Sequence, residues 1–316
     1  MKKKILITTG DPNGIGPEII VKSAVKGFLS DCIVIGSHQV FSFYQNLLNI
    51  RFNWNELDKP DSAPVLLDID PEGKIYPQPG ECTPEGGLFS LKCLDTAIEK
   101  LKNHISENVV TAPLSKKAVS YHVSGFIGHT EYLAEAFQTN RYSMMLVNET
   151  FRVVLVTTHV SIRELPAFIT HENVKTAIIN SDNFLKSMKD ERGIAVCAFN
   201  PHAGENGLLG NEEIEIIAPV IDEMQKQGIN VSGPFPADSL FKTVYSRPYG
   251  VYVAMYHDQG LGPLKMIGKG KGVNITLGLP IFRISVDHGT AYDIAGKNIA
   301  DETSLIEAVQ IAKSIS

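Results

Sequence analysis

Residues 5–18 read ILITTGDPNGIGPE, a β-branched strand followed at once by a glycine-rich turn and a helix start. Pro17 suits the first helical position, and Gly10, Gly14 and Gly16 allow a tight backbone turn. Their spacing gives no GxGxxG motif, and GxxxxGK[ST] is found nowhere in the chain, so neither a Rossmann nor a P-loop nucleotide site is predicted. Taken alone, the loop is more typical of a tight turn than of a binding site.

The same alternation of strand and helix patterns continues along the chain. Predicted strands of the first part lie at residues 5–9, 32–35, 65–69 and 109–111. Helical patterns between them, such as 88–105, predict βαβ units. The apolar runs 144–147 and 151–157 are separated by only three residues, which indicates an antiparallel hairpin and the start of a second domain. The sequence predicts an α/β protein with mixed, mainly parallel sheets.

The composition and charge of the chain limit the classes of partner that it could bind. The chain has 316 residues, 43% of them hydrophobic, and a formal net charge of −6, so it can bury a large core and has no overall positive field to attract nucleic acid or anionic membranes. No apolar run approaches the roughly 20 residues that span a bilayer. The four cysteines are scattered without CxxC spacing, which argues against a disulfide framework or a thiolate metal site. We expect a cytoplasmic protein.

Three histidines share one setting, because each follows a predicted strand. They are His159 after VVLVTT, His202 after VCAFNP and His257 after VYVAMY. Ligands of open α/β sheets gather beyond the carboxyl ends of strands, and neutral imidazoles suit a borderline divalent cation. A single histidine in such a place is more often a hydrogen-bonded loop residue. Three in matching positions favour a metal site, although their spacing fits no local metal motif.

A second pattern indicates an anion site. Lysines and glycines alternate in KMIGKGKGVN, which contains Lys265, Lys269 and Lys271, and Arg283 follows soon after. Charge, a guanidinium fork and accessible backbone N–H groups are what a phosphate needs. The alternative is a solvated lysine loop. His129 and Thr130 at a helix start could add donors, unless Thr130 is only an N-cap.

Two carboxylates stand next to these elements. Asp258 directly follows His257, and Asp238 lies in GPFPADSL. Each could orient a ligand hydroxyl or ammonium, or act as a base. Either could instead cap a helix, and the Ser-Leu-Phe sequence that follows Asp238 suits an N-cap.

Together, long motifs in the right order resemble the 4-phosphohydroxythreonine dehydrogenase family. They are TxGDPxGIGPE, GHTEYLA, TTHVSIREL, NPHAGENGLLGNEE, GPxPADSLF, YHDQGLGPLK and GVNITLGLPIFRISVDHGTAYDIAGK. The resemblance implies a two-domain fold like that of isopropylmalate and isocitrate dehydrogenases, and a homodimer with shared active sites. It implies one domain at 1–135 plus 260–316, and a dimerisation and metal-binding domain at 136–259.

The resemblance also implies roles for individual residues. His159, His202 and His257 would bind one divalent ion, zinc, magnesium or cobalt. Substrate would contact His129, Thr130, Asp238, Asp258, Lys265, Asn274 and Arg283. NAD or NADP would contact Gly272, Asn274, Leu277 and Asp287. Lys265, Asp258 and solvent stay open as the base.

The implied reaction is oxidation of 4-phosphooxy-L-threonine to 2-amino-3-oxo-4-phosphooxybutanoate, which then loses carbon dioxide to give 3-amino-2-oxopropyl phosphate for pyridoxal phosphate biosynthesis. A sister activity on 4-phospho-D-threonate or 4-phospho-D-erythronate in sugar-acid catabolism fits the same motifs. A metal- and phosphosugar-binding protein without redox activity is a more distant alternative. A metal-dependent hydrolase is disfavoured, because no second-metal carboxylate cluster accompanies the histidines.

Overall fold

The β-branched runs of the sequence form buried strands in the computed structural model, which describes residues 4–56, 64–268 and 272–315. These residues fall into two α/β units. The first holds the chain up to Gln138 and again from Leu279 to Ser314, and the second holds Thr139–Gly278. The predicted α/β class with mainly parallel strands is confirmed.

The first unit is built on five parallel strands. They are β1 (Ile5–Thr8), β2 (Cys32–Gly36), β3 (Val65–Asp68), β4 (Asn108–Thr111) and β11 (Phe282–Val286), in the order β3-β2-β1-β4-β11. Side chains on both faces are buried, as in Leu6 and Ile7, because helices cover a parallel sheet on both sides. Those helices are α1 (Gly16–Val25), α2 (His38–Leu48), α3 (Pro84–Lys102), α4 (Lys116–Ser120), α5 (His129–Ala136) and α11 (Thr303–Ser314).

The second unit has a mixed sheet. Its strands are β5 (Ser143–Val147), β6 (Arg152–Leu155), β7 (Gly193–Cys197), β8 (Val231–Phe235), β9 (Tyr249–Ala254) and β10 (Val273–Leu277), in the order β10-β5-β6-β9-β7-β8. The predicted hairpin is confirmed, since β5 pairs with β6 in antiparallel register. β10 is also antiparallel to β5, whereas β6, β9, β7 and β8 pair in parallel.

Helices and aromatic rings fill the core of the second unit. The helices are α6 (Leu165–Phe168), α7 (His171–Ser187), α8 (Ala218–Lys226), α9 (Ala237–Leu240) and α10 (His257–Ile267). Leu261 and Leu264 of α10 join a cluster with Phe151 and Tyr252, whose rings meet edge to face at 5.6 Å. Each such buried side chain contributes about 1.5–3 kcal/mol.

The boundaries differ from those expected for the domains. Residues 260–278, expected with the first domain, group with the second unit. The reason is packing: α10 contacts β6 and β9, and β10 pairs with β5. No helix in the described part of the chain combines the length and the apolar character needed to cross a membrane.

Candidate functional site

Three histidine-bearing segments leave the second unit from neighbouring strands. His159 comes a few residues after β6, His257 after β9 and His202 after β7. β9 lies between β6 and β7 and is parallel to both. Neighbouring parallel strands end at the same edge of a sheet, and ligands of α/β proteins bind at that edge. All three segments therefore start from one edge.

Two of the three imidazoles face each other. The ring centroids of His159 and His257 are 5.8 Å apart, and both rings line a pocket of about 310 Å³ together with Asp258 and the apolar Ile162 and Leu165. Asp258 Oδ1 lies 2.7 Å from His257 Nδ1. A carboxylate can only accept a hydrogen bond, so this contact favours the tautomer with the proton on Nδ1, in which Nε2 keeps its lone pair.

His202 stands apart from this pair. It opens a left-handed stretch, His202–Asn206, in which five consecutive residues have positive φ. Among the described residues, no three His, Cys, Asp or Glu side chains form a group that could hold a metal ion. The structure thus brings His159 and His257 together and does not add His202 to them.

The donor chemistry of the pair nevertheless fits a divalent cation. A metal-binding histidine usually donates its other ring N–H to a carboxylate, which fixes the tautomer, and Asp258 makes this contact with His257. The two imidazoles could supply two nitrogen ligands, and the segment bearing His202 starts from the strand next to β9.

In the first unit, Arg283 lies in a cluster of polar side chains. This residue of β11 is only 6% exposed, and its guanidinium donates to Thr111 Oγ1 (3.1 Å) and to Thr130 Oγ1 (3.4 Å). Burial lowers the pKa of Arg283 to about 10, against the opposing effect of Glu131. A buried guanidinium beside a hydroxyl is suited to a phosphate or carboxylate oxygen.

Two further basic side chains belong to this cluster. Burial lowers the pKa of His129, and the positive charges of Arg283 and Lys116 lower it further, so the imidazole is neutral. Lys116 lies over the start of α5, with its Cε 3.5 Å from where a Cβ on Gly128 would stand. The sequence motifs did not single out Lys116, because its approach to the start of α5 has no local sequence signature. Thr130 is inside α5 and is not its N-cap, which is Gly128.

The other residues expected at the site lie in several places of the second unit. Lys265 is exposed in the last turn of α10, and Asn274 is half-buried in β10. Gly272 is buried just before β10, and Leu277 ends this strand with a side chain 2% exposed, which leaves its backbone as the part able to contact a ligand. Lys269 and Lys271 lie outside the described residues.

Three aspartates complete the set. Asp238 is exposed in the first turn of α9, and the alternative interpretation of it as an N-cap is wrong, because Pro236 holds that position. Asp258 likewise is not a cap but the second residue of α10. In the first unit, Asp287 follows β11 and its backbone N–H donates to Ser304 Oγ at 3.2 Å.

The glycine-rich loop after β1 is a packed turn. Asp11 is fully buried and accepts hydrogen bonds from Tyr292 Oη (2.5 Å) and from the backbone of Asn13 (2.9 Å), and burial raises its pKa. Tyr44 donates to the backbone carbonyls of the loop. A Cβ on Gly16 would stand 2.4 Å from Thr9 O, so only glycine fits there. The loop connects segments of the first unit.

Comparison with known proteins identifies the family of this chain. The family described as "Pyridoxal phosphate biosynthetic protein PdxA" matches residues 29–312. The chain belongs to the PdxA family. The resemblance to the 4-phosphohydroxythreonine dehydrogenases is confirmed, and the chain is a dehydrogenase of this family.

Relatives in the PdxA family carry two names. The 4-hydroxythreonine-4-phosphate dehydrogenase of Desulforapulum autotrophicum is 40% identical, across 97% of this chain and 93% of its own length. The D-threonate 4-phosphate dehydrogenase of Pectobacterium atrosepticum is 39% identical, across 100% of both. Identity alone therefore does not separate the two substrates.

Solved structures agree with the fold. The crystal structure of 4-hydroxythreonine-4-phosphate dehydrogenase from Klebsiella pneumoniae matches with a TM-score of 0.91 at 39% identity, covering 100% of this chain and 98% of the other. A β-decarboxylating dehydrogenase from Thermococcus kodakarensis, 14% identical over 98% of this chain and 82% of its own, has a TM-score of 0.53 and shows the fold alone. The predicted isopropylmalate and isocitrate dehydrogenase-like fold is confirmed.

Proposed function

We propose that this PdxA-family protein oxidises 4-phosphooxy-L-threonine with NAD or NADP and a bound divalent cation, and that the product then loses carbon dioxide. The proposal rests on one observation. The segments that bear His159, His257 and His202 follow the ends of three adjacent parallel strands. A PdxA-family relative of similar length is named 4-hydroxythreonine-4-phosphate dehydrogenase, which supports the choice of substrate.

The cation would be held by the imidazoles of His159 and His257, with His202 as the third ligand. Three neutral nitrogen ligands suit zinc or cobalt and accept magnesium less well. When bound, such an ion acts as a Lewis acid that lowers the pKa of a substrate hydroxyl and polarises the ketone formed from it. Asp258 supports this role by holding His257 in the tautomer whose Nε2 can bind metal.

The negatively charged ends of the substrate would be bound by basic and amide side chains. Arg283, Thr130 and His129 provide a guanidinium, a hydroxyl and a neutral imidazole in the first unit. We assign Lys265, Asn274 and Asp238 to the same substrate. Contacts with its remote charged groups orient the reacting carbon–hydrogen bond, which is how binding energy is converted into rate. For the nicotinamide cofactor we propose Gly272, Asn274, Leu277 and Asp287.

The chemistry needs one base. Oxidation removes a hydride from C3 and a proton from its hydroxyl, which gives a 3-oxo acid. The C1–C2 bond then breaks, carbon dioxide leaves, and the electron pair remains on C2 beside the ketone until C2 is protonated. Asp258 is engaged with His257 at 2.7 Å. We therefore propose Lys265 as the group that takes the hydroxyl proton.

A second candidate is oxidation of 4-phospho-D-threonate. The observation that favours it is the 39% identity, over the full length of both chains, to a relative with that name. The reaction class, the metal site and the phosphate site would be the same.

We also propose a homodimer whose subunits share active sites. Large apolar side chains directly follow the His202 segment, with Leu208 77% exposed and Ile214 54% exposed. Exposed apolar residues grouped in this way are typical of protein interfaces.

The test is reduction of NAD or NADP, followed by absorbance, with 4-phosphooxy-L-threonine and 4-phospho-D-threonate compared side by side. We expect turnover of the L-threonine compound, its loss after chelator treatment and its return with zinc, cobalt or magnesium. The matched variant His202→Ala should lose more than about 100-fold in turnover, because even residues that only support a metal ligand contribute about 10–100-fold. Preference for the D-threonate compound would select the second candidate. Chelator-resistant turnover would refute the metal site.

A further inference from the structure

A continuous set of hydrogen bonds joins the three strand ends of the second unit. At the end of β9, the Met255 carbonyl accepts from the Thr157 hydroxyl at 2.8 Å and from the Thr157 backbone N–H at 3.2 Å. Thr157 is 5% exposed and lies two residues before His159. The segment after β6 is thereby fixed to the end of β9.

Gln259 makes the next connection. Its Oε1 accepts from the Met255 N–H at 2.7 Å, and its Nε2 donates to the Ala198 carbonyl at 2.7 Å. These two partners determine the orientation of the amide. In the flipped orientation, the amide N–H would face the Met255 N–H, and the amide oxygen would face the Ala198 carbonyl. A single side chain of α10 therefore links the end of β9 to the end of β7.

Glu213 makes the third connection. This carboxylate is only 3% exposed, in a π-helical turn, Glu213–Ile217, that precedes α8. Its Oε1 accepts from the backbone N–H groups of Phe199 and Asn200, both at 2.7 Å, and its Oε2 accepts from the Asn200 side chain at 3.0 Å. A buried carboxylate thus holds the backbone two residues before His202.

The segment that Glu213 holds has an unfavourable backbone. Left-handed φ values are unfavourable for residues other than glycine, because Cβ crowds the backbone, and His202–Asn206 contains four such residues. Gly204 packs so closely that a Cβ there would stand 2.7 Å from Glu213 Oε2. The contacts of Glu213 on both sides of His202 oppose relaxation of this stretch.

We infer that Gln259 and Glu213 are positioning residues that set where His202 stands relative to His257, and so determine the affinity of the site for a divalent cation. The inference rests on the proposed metal-binding function. Neither side chain is one of the proposed ligands. Both connect the backbone segments from which the ligands extend, and π-helical turns such as the one bearing Glu213 occur frequently at functional sites.

Metal affinity of the chelator-treated protein provides the first test, with Co²⁺ added and its visible absorption recorded in competition with a chromophoric chelator. Groups that support metal ligands typically contribute 10–100-fold to affinity. We expect Glu213→Ala to weaken Co²⁺ binding by about this factor, and Glu213→Gln, which keeps one acceptor oxygen, to weaken it less. The cobalt spectrum should change in the same order, because the ligand geometry is altered. Equal affinity and spectrum in all three proteins would overturn the inference.

Gln259→Leu provides the second test, with a matched control on the other side of the unit. Gln225 also donates its amide to a backbone carbonyl, that of Val231 at 2.8 Å, at the edge strand β8. We expect Gln259→Leu to lose Co²⁺ affinity by about 10–100-fold and Gln225→Leu to keep it. An equal loss in both variants would show general loosening and overturn the inference.

A third variant separates this inference from the proposed function. If His257→Ala abolishes Co²⁺ binding while Glu213→Gln and Gln259→Leu bind it like the unchanged protein, the metal site stands and the positioning role is wrong. If His257→Ala binds Co²⁺ unchanged, the proposed metal site fails, and the inference fails with it. Urea unfolding of each metal-free variant shows that affinity is compared between folded proteins.

Discussion

Among individual residues, His129 offers a test of the anion site proposed for the first unit. The pKa of its imidazole is lowered by burial and by the positive charges of Arg283 and Lys116. An incoming phosphate would offset the charge of those side chains. The anion and the proton should therefore bind cooperatively, since each reduces the electrostatic cost of the other.

The prediction is that inorganic phosphate raises the pKa of His129. The ring resonances of the histidines would be followed by NMR against pH, with and without phosphate. His104, an exposed residue after α3, serves as the internal control. An unchanged His129 titration at phosphate concentrations that inhibit turnover would place the phosphate elsewhere.

The site was partly predictable at this scale. Histidines after strands gave a visible pattern, and all three do follow strands of one edge. Lys116 was not predicted, because its relevance depends on the folding of α4 over the start of α5, a contact with no local signature. Asp238 was open to interpretation as an N-cap because its local sequence suits one, but Pro236 holds that position instead.

Among elements, the turn between α7 and β7 is stabilised by charge. Asp190 accepts from Arg192 Nε at 2.8 Å and from Arg152 Nη1, at the start of β6, at 2.8 Å. The hydrogen bonds from Arg192 and Arg152 hold the pKa of Asp190 well below its usual range, against the opposing effect of burial. A lowered carboxyl pKa stabilises the fold above the unfolded value of about 3.9, and this stabilisation is lost as the pH falls below it.

We predict that Asp190→Asn lowers the free energy of unfolding by about 2 kcal/mol at pH 7, as expected for hydrogen bonds to a charged group. The difference from the unchanged protein should shrink below about pH 4, where the unfolded chain takes up the proton. Urea unfolding at a series of pH values measures both effects. Asp182→Asn is the control, because its partner Lys186 is 72% exposed, and it should cost less than about 0.5 kcal/mol. A pH-independent loss in Asp190→Asn would indicate that the charge is not responsible.

Elements with a regular pattern were the predictable ones. The early strands matched because burial on both faces of a parallel sheet gives continuous apolar runs. The long helices matched as well. β8 was missed since its sequence, VSGPF, contains glycine and proline, which are depleted in strands. The helical stretch before β8 is not uniform, because the turn Glu213–Ile217 is π-helical and α8 begins only at Ala218. That distortion accompanies the burial of the Glu213 carboxylate, and no periodicity reports it.

For the whole molecule, the chain path decides which residues belong together. The second unit is inserted into the first, which resumes at Leu279. From the sequence, the start of a second domain was expected where the parallel pattern changes to a hairpin pattern. Sequence patterns did not locate its end, because β10 is assigned to the second unit by its pairing with β5, and pairing between segments so distant in sequence leaves no local pattern.

The proposed dimer can be tested through exposed apolar side chains on the surface of the chain. Leu208 and Ile214 follow the His202 segment along the chain, and both side chains are mostly exposed in the single chain. A stable interface buries about 1,200–2,000 Å² and places apolar side chains at its centre. We predict that Leu208→Glu converts a dimer to monomers in sedimentation experiments. Ile105→Glu, at a half-exposed apolar residue of the first unit, should leave the dimer intact.

The shared active site can then be tested by mixing two inactive variants. Asp238 does not line the pocket that contains His159 and His257 in its own chain. If Asp238 serves the site of the other subunit, a hybrid of Asp238→Asn and His257→Ala contains one site with both residues intact. Random exchange makes half of the dimers hybrid, so activity should return to about a quarter of that of the unchanged dimer, as two-fold symmetry requires. No recovery, despite hybrid formation shown by mass spectrometry, would mean that Asp238 and His257 act within one subunit.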